Sequence, residues 1–125
     1  MIQSTPRILS LALFAAFAAT VASPSAMAAP DGAKLFKRKC ASCHDFEKHN
    51  TGPNLKGVFG RKAGSTDFPK YRALKGADFE WDEEKISDWI KDPKKFMGKP
   101  TSMAGKMKKE KDRKAVIEFL KEASK

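Results

Sequence analysis

The feature that most constrains this chain is the pentapeptide Cys40-Ala41-Ser42-Cys43-His44. Its two cysteines are the only cysteines in 125 residues, and a histidine directly follows the second one. An imidazole next to the chain's whole stock of thiols indicates that this turn of backbone holds a chemical group. The remainder of the sequence therefore has to be interpreted around that group.

Four interpretations of the cysteine pair compete. A disulfide would enclose only two residues, so it would add little stability, and it would leave His44 without a role. A thioredoxin-like pair opens a helix after a strand, whereas this pair closes a predicted helix. Structural zinc would require the adjacent Cys43 and His44 to share one tetrahedral ion, and the chain has only one further histidine, His49.

The fourth interpretation is covalent attachment of haem, because C-x-x-C-H is the c-type attachment motif. Cys40 and Cys43 lie on one side of a helical turn, where each can form a thioether to one haem vinyl group. His44 then follows as the fifth ligand of the iron. We predict one covalently bound haem c per chain, since this interpretation accounts for all three residues.

The N-terminal segment has the order of a secretory signal peptide. A short stretch containing Arg7 precedes 14 uncharged, mostly apolar residues, 8–21, and an A-x-A sequence ends at Ala28. The apolar run is shorter than the roughly 20 residues of a membrane-spanning helix. We predict that residues 1–28 are removed, that residues 29–125 form one domain, and that the protein is periplasmic.

The mature domain is predicted to be all-α, with three to five helices joined by long loops. Apolar spacing and capping residues predict helices over residues 32–43, 69–75, 83–91 and 110–123. Residues 45–67 and 94–109 are rich in glycine, proline and other loop formers, so we expect irregular backbone there. Loops of this length in a small domain are typical of a chain that wraps a bound group.

A haem bound through His44 also raises the question of the opposite face of the iron. Methionine in a downstream loop would suit an electron carrier, because Met/His ligation raises the reduction potential. Met103 lies in the middle of the irregular segment and is the predicted ligand, with Met107 and Met97 as alternatives. An open or labile sixth site would instead indicate a haem enzyme or a small-ligand sensor.

Residues 31–123 resemble a class I cytochrome c, of the soluble bacterial periplasmic type close to the mitochondrial protein. The resemblance rests on GAKLFKRKCASCH, TGPNLKGVFGRKAG, DWIKDPKKF and TSMAGKMKKEKDRKAVIEFL. It implies a small cytochrome c-like domain wrapped around one haem, acting as a soluble one-electron carrier and not as an enzyme. In that domain Cys40 and Cys43 would carry the haem, and His44 and Met103 would ligate its iron.

The resemblance also implies the surroundings of the haem. The carbonyl of Pro53 would accept a hydrogen bond from the Nδ1–H group of His44, which would orient the imidazole. A haem propionate would lie near Arg61, Tyr71 and Trp81. Trp89 takes a position beside the methionine where the family usually has tyrosine.

The charge of the chain predicts its partners. The formal net charge is +10, and Arg7 is the only charged residue before residue 29. Such a charge favours acidic partners, whereas nucleic acid is disfavoured because the chain has no helix-turn-helix pattern or aromatic stacking platform. The lysines predicted to form a docking ring around the haem edge are Lys37, Lys39, Lys94, Lys95, Lys99 and Lys106.

The resemblance implies particular partners for that ring. The electron donor would be a quinol–cytochrome c oxidoreductase, and the acceptor a terminal oxidase or a photosynthetic reaction centre. The carrier would be a monomer that touches the membrane surface only transiently. Electrostatic steering would speed its encounter with the acidic faces of these complexes.

Overall fold

The computed structural model describes residues 30–125, together with the isolated residue Ala19. This part of the chain contains the helices α1 Gly32–Lys39, α2 Glu83–Lys91, α3 Pro93–Met97 and α4 Glu110–Ala123. It contains no strand, and its β-structure is one isolated bridge between Lys62 and Glu80. The prediction of a small all-α domain is confirmed. Apart from Ala19, the predicted signal peptide and its cleavage point lie outside the described residues.

Aspartate side chains set the starts of three helices. Each accepts a hydrogen bond from a main-chain N–H three residues later, which the first helical turn would otherwise leave unpaired. The donor–acceptor distances are 3.1 Å for Asp31–Lys34, 2.8 Å for Asp82–Lys85 and 3.1 Å for Asp92–Lys95. The helices predicted over residues 83–91 and 110–123 have those bounds in the structure. No helix in residues 30–125 is long and apolar enough to cross a bilayer.

The prediction of a helix over residues 69–75 is wrong. This segment forms separate turns, such as the one closed by the hydrogen bond from Lys75 N–H to the Arg72 carbonyl (3.2 Å). Seven residues are too few to hold a helix by local propensity alone. Here tertiary burial of Ala73 and Leu74 determines the path of the backbone instead.

Helix α3 lies partly inside the segment that was predicted to be irregular. Asp92 ends α2 and also caps α3, and Pro93 occupies the first turn of α3. A proline there is favourable, because its fixed φ suits a helix and the missing N–H would have no partner. Gly98, with φ of 66°, ends α3 in a left-handed conformation that suits glycine. The Asp-Pro pair therefore both ends one helix and begins the next.

Helices α1 and α4 cross at very short distance. A Cβ atom built on Gly32 would lie 2.1 Å from the carbonyl oxygen of Ala115, so only glycine permits this approach. Phe36 continues the contact, with its ring centroid 5.3 Å from that of Phe119. α2 packs on α4 as well. Together these helices form a frame that leaves one large internal space for the site.

Candidate haem-binding site

A cavity of about 400 Å³ occupies the centre of the domain. Its volume falls within the range of roughly 300–1,000 Å³ that is typical of cofactor sites. Apolar side chains from the loops and helices form most of its wall. Nine residues predicted to surround the haem all line it: Cys40, Cys43, His44, Pro53, Arg61, Tyr71, Trp81, Trp89 and Met103.

The end of α1 brings the two cysteines and the histidine to this wall. The helix ends at Lys39, four residues earlier than predicted, and the chain continues as a turn. In that turn the N–H groups of Cys43 and His44 both donate to the Cys40 carbonyl, at 3.0 and 2.9 Å. The turn keeps Cys40, Cys43 and His44 together on the wall of the cavity.

Both thiols are free in the structure. Burial, with a smaller contribution from neighbouring Cys43, raises the pKa of Cys40 to about 11. The thiol of Cys40 is therefore protonated at neutral pH, and it lacks the activated thiolate on which thiol–disulfide exchange depends. This environment disfavours the thioredoxin-like interpretation of the pair.

His44 is oriented by two features of the loop that follows it. Its Nδ1–H donates to the Pro53 carbonyl at 2.8 Å, which leaves Nε2 as the unprotonated nitrogen. Within residues 30–125 Nε2 has no hydrogen-bond partner. Burial lowers the pKa of His44, the Pro53 hydrogen bond raises it, and the positive charge of Arg61 lowers it. A neutral imidazole with a free Nε2 lone pair is the form that binds a metal.

Gly52 is a site residue that the sequence did not identify. A Cβ atom at this position would lie 2.5 Å from Cε1 of His44, so any larger residue would displace the imidazole. The Gly52 N–H donates to the Cys43 carbonyl at 2.7 Å, which ties the loop to the motif. The only local sign is a glycine directly before Pro53, and glycine-proline pairs occur in many turns.

Met103 lies on the cavity wall with its sulfur held by a hydrogen bond. The indole N–H of Trp89 donates to Sδ, with an Nε1–Sδ distance of 3.0 Å. The hydroxyl of Thr101 donates to the Met103 carbonyl at 2.8 Å. The two alternative ligands, Met97 and Met107, pack against the hydrophobic core and do not line the cavity.

Arg61 places a half-buried cation on the same wall. Its guanidinium donates to the carbonyls of Asn54 and Lys56, both at 2.9 Å, and to the Asn54 side-chain oxygen at 3.3 Å. No carboxylate in residues 30–125 lies within 4.0 Å of it. Nearby, the Tyr71 hydroxyl is 2.7 Å from the hydroxyl of Thr66. An anionic group at this end of the cavity would therefore meet an uncompensated positive charge.

The residues present fit a covalently attached haem. The cavity offers two free thiols, one unpaired imidazole nitrogen, one thioether and an apolar wall. The family profile described as "Cytochrome c" matches residues 29–124. The chain belongs to the cytochrome c family. As a cytochrome c it carries one covalently bound haem c and serves as a one-electron carrier.

Several curated relatives share this family name and most of the chain. "Cytochrome c" of Theileria annulata is 42% identical over 96 residues, which cover 74% of this chain and 84% of the relative. "Cytochrome c" of Stellaria longipes is 39% identical over 101 residues (78% and 94%), and that of Kluyveromyces lactis is 40% identical over 98 residues (75% and 89%). The similarity thus extends across nearly the whole length of each relative.

The predicted docking lysines of this cytochrome c are all exposed. Lys39 lines the mouth of the cavity, together with Lys70 and Arg72, which the sequence interpretation did not include. Lys106 differs from the other predicted lysines because its ammonium group pairs with Asp92 at 2.8 Å. Five of the six predicted docking charges have no carboxylate within 4.0 Å in residues 30–125: Lys37, Lys39, Lys94, Lys95 and Lys99.

Proposed function

We propose that this cytochrome c exchanges single electrons through a haem iron whose two axial positions are filled by His44 and Met103. Cys40 and Cys43 would hold the haem through thioethers. The observation that carries the proposal is that these four side chains line one cavity. Such a protein makes and breaks no substrate bond, so it is a carrier and not an enzyme.

The axial residues are prepared for this task by their own partners. The bound haem supplies a one-electron iron couple, and Met/His ligation favours a high reduction potential. The Pro53 carbonyl holds the imidazole of His44 in one tautomer and increases its basicity. The indole N–H of Trp89 aims at the sulfur of Met103, which restricts the rotation of that side chain.

We also propose that Arg61 neutralises a haem propionate, with Tyr71 and Trp81 beside it. The support is the half-buried guanidinium, which has no carboxylate partner in the described part of the chain. Burying an uncompensated charge costs on the order of several kcal/mol. An anion supplied by the cofactor would offset that cost. Arg61→Met is then expected to lower the stability of the holoprotein and to change its reduction potential, measured by potentiometric titration.

The exposed lysines would steer the protein to acidic partners. Lys39, Lys70 and Arg72 surround the cavity mouth, and further lysines extend the positive surface. Long-range attraction speeds encounter, while weak contacts allow rapid release, and a mobile carrier needs both. We propose a quinol–cytochrome c oxidoreductase as donor and a terminal oxidase or photosynthetic reaction centre as acceptor. The carrier would be monomeric and would contact the membrane only transiently.

We propose a bacterial periplasmic location, reached by cleavage after Ala28. The support is the order of charged, apolar and small residues in residues 1–28. The relatives described above come from eukaryotes, so this proposal depends on the N-terminal segment and not on them. Mass spectrometry of the protein exported from a bacterial host should give an N-terminus at Ala29. Recovery of the protein in the cytoplasm with residues 1–28 attached would contradict the proposal.

The near-infrared absorption of the oxidised protein tests the axial ligands. A sulfur–iron bond gives a weak band there, so the wild type should show it and Met103→Leu should lose it. Met107→Leu is the matched control, because Met107 lies outside the cavity, and this variant should keep the band. A wild type that lacks the band and binds cyanide at once would support the alternative of a haem enzyme or ligand sensor.

A further inference from the structure

Arg113 is a buried cation on α4. It has 7% of its surface exposed, and no carboxylate in residues 30–125 comes within 4.0 Å of it. Burying a guanidinium in this way is unfavourable unless its hydrogen bonds are made elsewhere. The position of this side chain therefore has to be explained by the groups that it contacts.

The guanidinium joins three parts of the chain. Nε donates to the hydroxyl of Ser87 on α2 at 3.0 Å. Nη1 donates to the carbonyls of Met107 and Lys108, at 3.1 and 2.7 Å. Lys109, at the start of α4, makes no side-chain capping hydrogen bond. The chain that enters α4 is consequently held from within the helix by Arg113.

Two further contacts hold the same segment, residues 106–108. The Met107 N–H donates to the Ile90 carbonyl at 2.7 Å, and the ammonium group of Lys106 pairs with Asp92. Between this segment and Met103 lie only Ala104 and Gly105, which are exposed. Because only two residues join them, fixing residues 106–108 limits how far Met103 can move away from the cavity wall.

We propose that Arg113 is a positioning residue that keeps the sulfur of Met103 in the cavity by anchoring residues 106–108. The inference rests on the proposed role of Met103 as an iron ligand. Without the anchor, the segment that carries Met103 moves away from the cavity more often. The sixth coordination position of the iron then becomes accessible to external ligands. Hydrogen bonds to a charged group are stronger than those between neutral groups, so the loss should be measurable.

The test is the rate of cyanide binding to the oxidised holoprotein at saturating cyanide, where opening of the loop limits the rate. Arg113→Lys keeps the charge, but a single ammonium group cannot reproduce the planar set of donors. We expect this variant to bind cyanide about tenfold faster than the wild type, which corresponds to about 1.4 kcal/mol. Hydrogen exchange at the Met107 amide should accelerate in the same variant.

Two controls separate positioning from general stability. Ile117→Val removes a methylene from the buried side of α4 and lowers global stability, but it leaves the hydrogen bonds of Arg113 to residues 107 and 108 in place. Lys114→Met removes an exposed charge one residue further along α4. Both should keep the wild-type cyanide rate.

An unchanged rate in Arg113→Lys would overturn the inference, as would equal acceleration by Ile117→Val at the same loss of stability. If Arg113→Lys yields no holoprotein, Ser87→Ala decides, because it removes the acceptor of Nε. A cyanide-binding rate above that of the wild type, but less than tenfold above it, supports the inference for Ser87→Ala. A wild-type rate in this variant overturns the inference. Absence of the near-infrared band from the wild type would instead refute the ligand role of Met103.

Discussion

Trp89→Phe tests whether the indole N–H tunes the sulfur of Met103. The hydrogen bond is 3.0 Å long from Nε1 to Sδ, and phenylalanine keeps an aromatic ring but has no donor. With Met103 as the proposed iron ligand, a donor that draws electron density from its sulfur would favour reduced over oxidised iron. We therefore expect the reduction potential to fall in the variant.

The size of the shift follows from the hydrogen bond. A neutral intramolecular hydrogen bond contributes about 0.5–1.5 kcal/mol net. For one electron, about 1.4 kcal/mol corresponds to 59 mV. If the whole hydrogen bond is lost from the reduced state only, the reduction potential falls by roughly 20–60 mV, and a smaller difference between the two states gives a smaller fall. Potentiometric titration of the holoprotein measures it directly.

The control has to separate the lost donor from altered ring packing. Phe96 packs against the Trp89 ring, with centroids 6.1 Å apart, but makes no contact of this kind with the sulfur. Phe96→Leu should leave the potential near the wild-type value. An unchanged potential in Trp89→Phe, or an equal fall in Phe96→Leu, would refute the argument.

Three further predictions follow from other parts of the site and fold. Gly52→Ala places a methyl group 2.5 Å from the His44 ring, so the holoprotein should lose about 1–3 kcal/mol in denaturant titration. Lys39→Glu at the cavity mouth should slow electron transfer to an acidic partner and weaken its dependence on ionic strength. The pKa of Asp82 is lowered by the hydrogen bond from the Lys85 side chain and by the Lys85 main-chain N–H. The ionised Asp82 carboxylate therefore stabilises the folded protein fully above the ordinary aspartate pKa of about 4. This stabilisation is lost as the pH falls through the lower pKa that Asp82 has in the folded protein. Asp82→Asn should reduce the acid dependence of the unfolding curves without abolishing it, because the pKa values of Asp45, Asp67, Asp92 and Glu110 are lowered as well.

The first two of these predictions have matched controls. Gly105→Ala meets no atom within 4 Å and should leave stability nearly unchanged. Lys125→Glu makes the same charge change at the end of the chain, on a lysine that pairs with Glu122, and should slow the reaction less. If Asp82→Asn retains the full acid dependence, other carboxylates must cause it.

Local features of the sequence predicted the helices whose ends carry their own signals. Asp82 caps α2, Asp92 ends it, and the apolar spacing of residues 110–123 marks α4. Residues 69–75 and α3 were predicted wrongly for opposite reasons. The first segment follows the cavity wall in spite of its helical propensity, and the second becomes helical because Asp92 serves two helices at once.

The sequence by itself determined the cofactor chemistry, because Cys40, Cys43 and His44 lie within one pentapeptide and their spacing is recognised without knowledge of the fold. For the opposite side of the iron it favoured Met103, with Met107 and Met97 as alternatives. In the tertiary structure Met103 lies on the cavity wall, whereas Met97 and Met107 pack against the hydrophobic core, and this placement supports the proposal for Met103. The contact of Gly52 with the His44 ring and the hydrogen bond from Arg113 to Ser87 were also decided at that level, because each joins groups that meet only when the chain is folded.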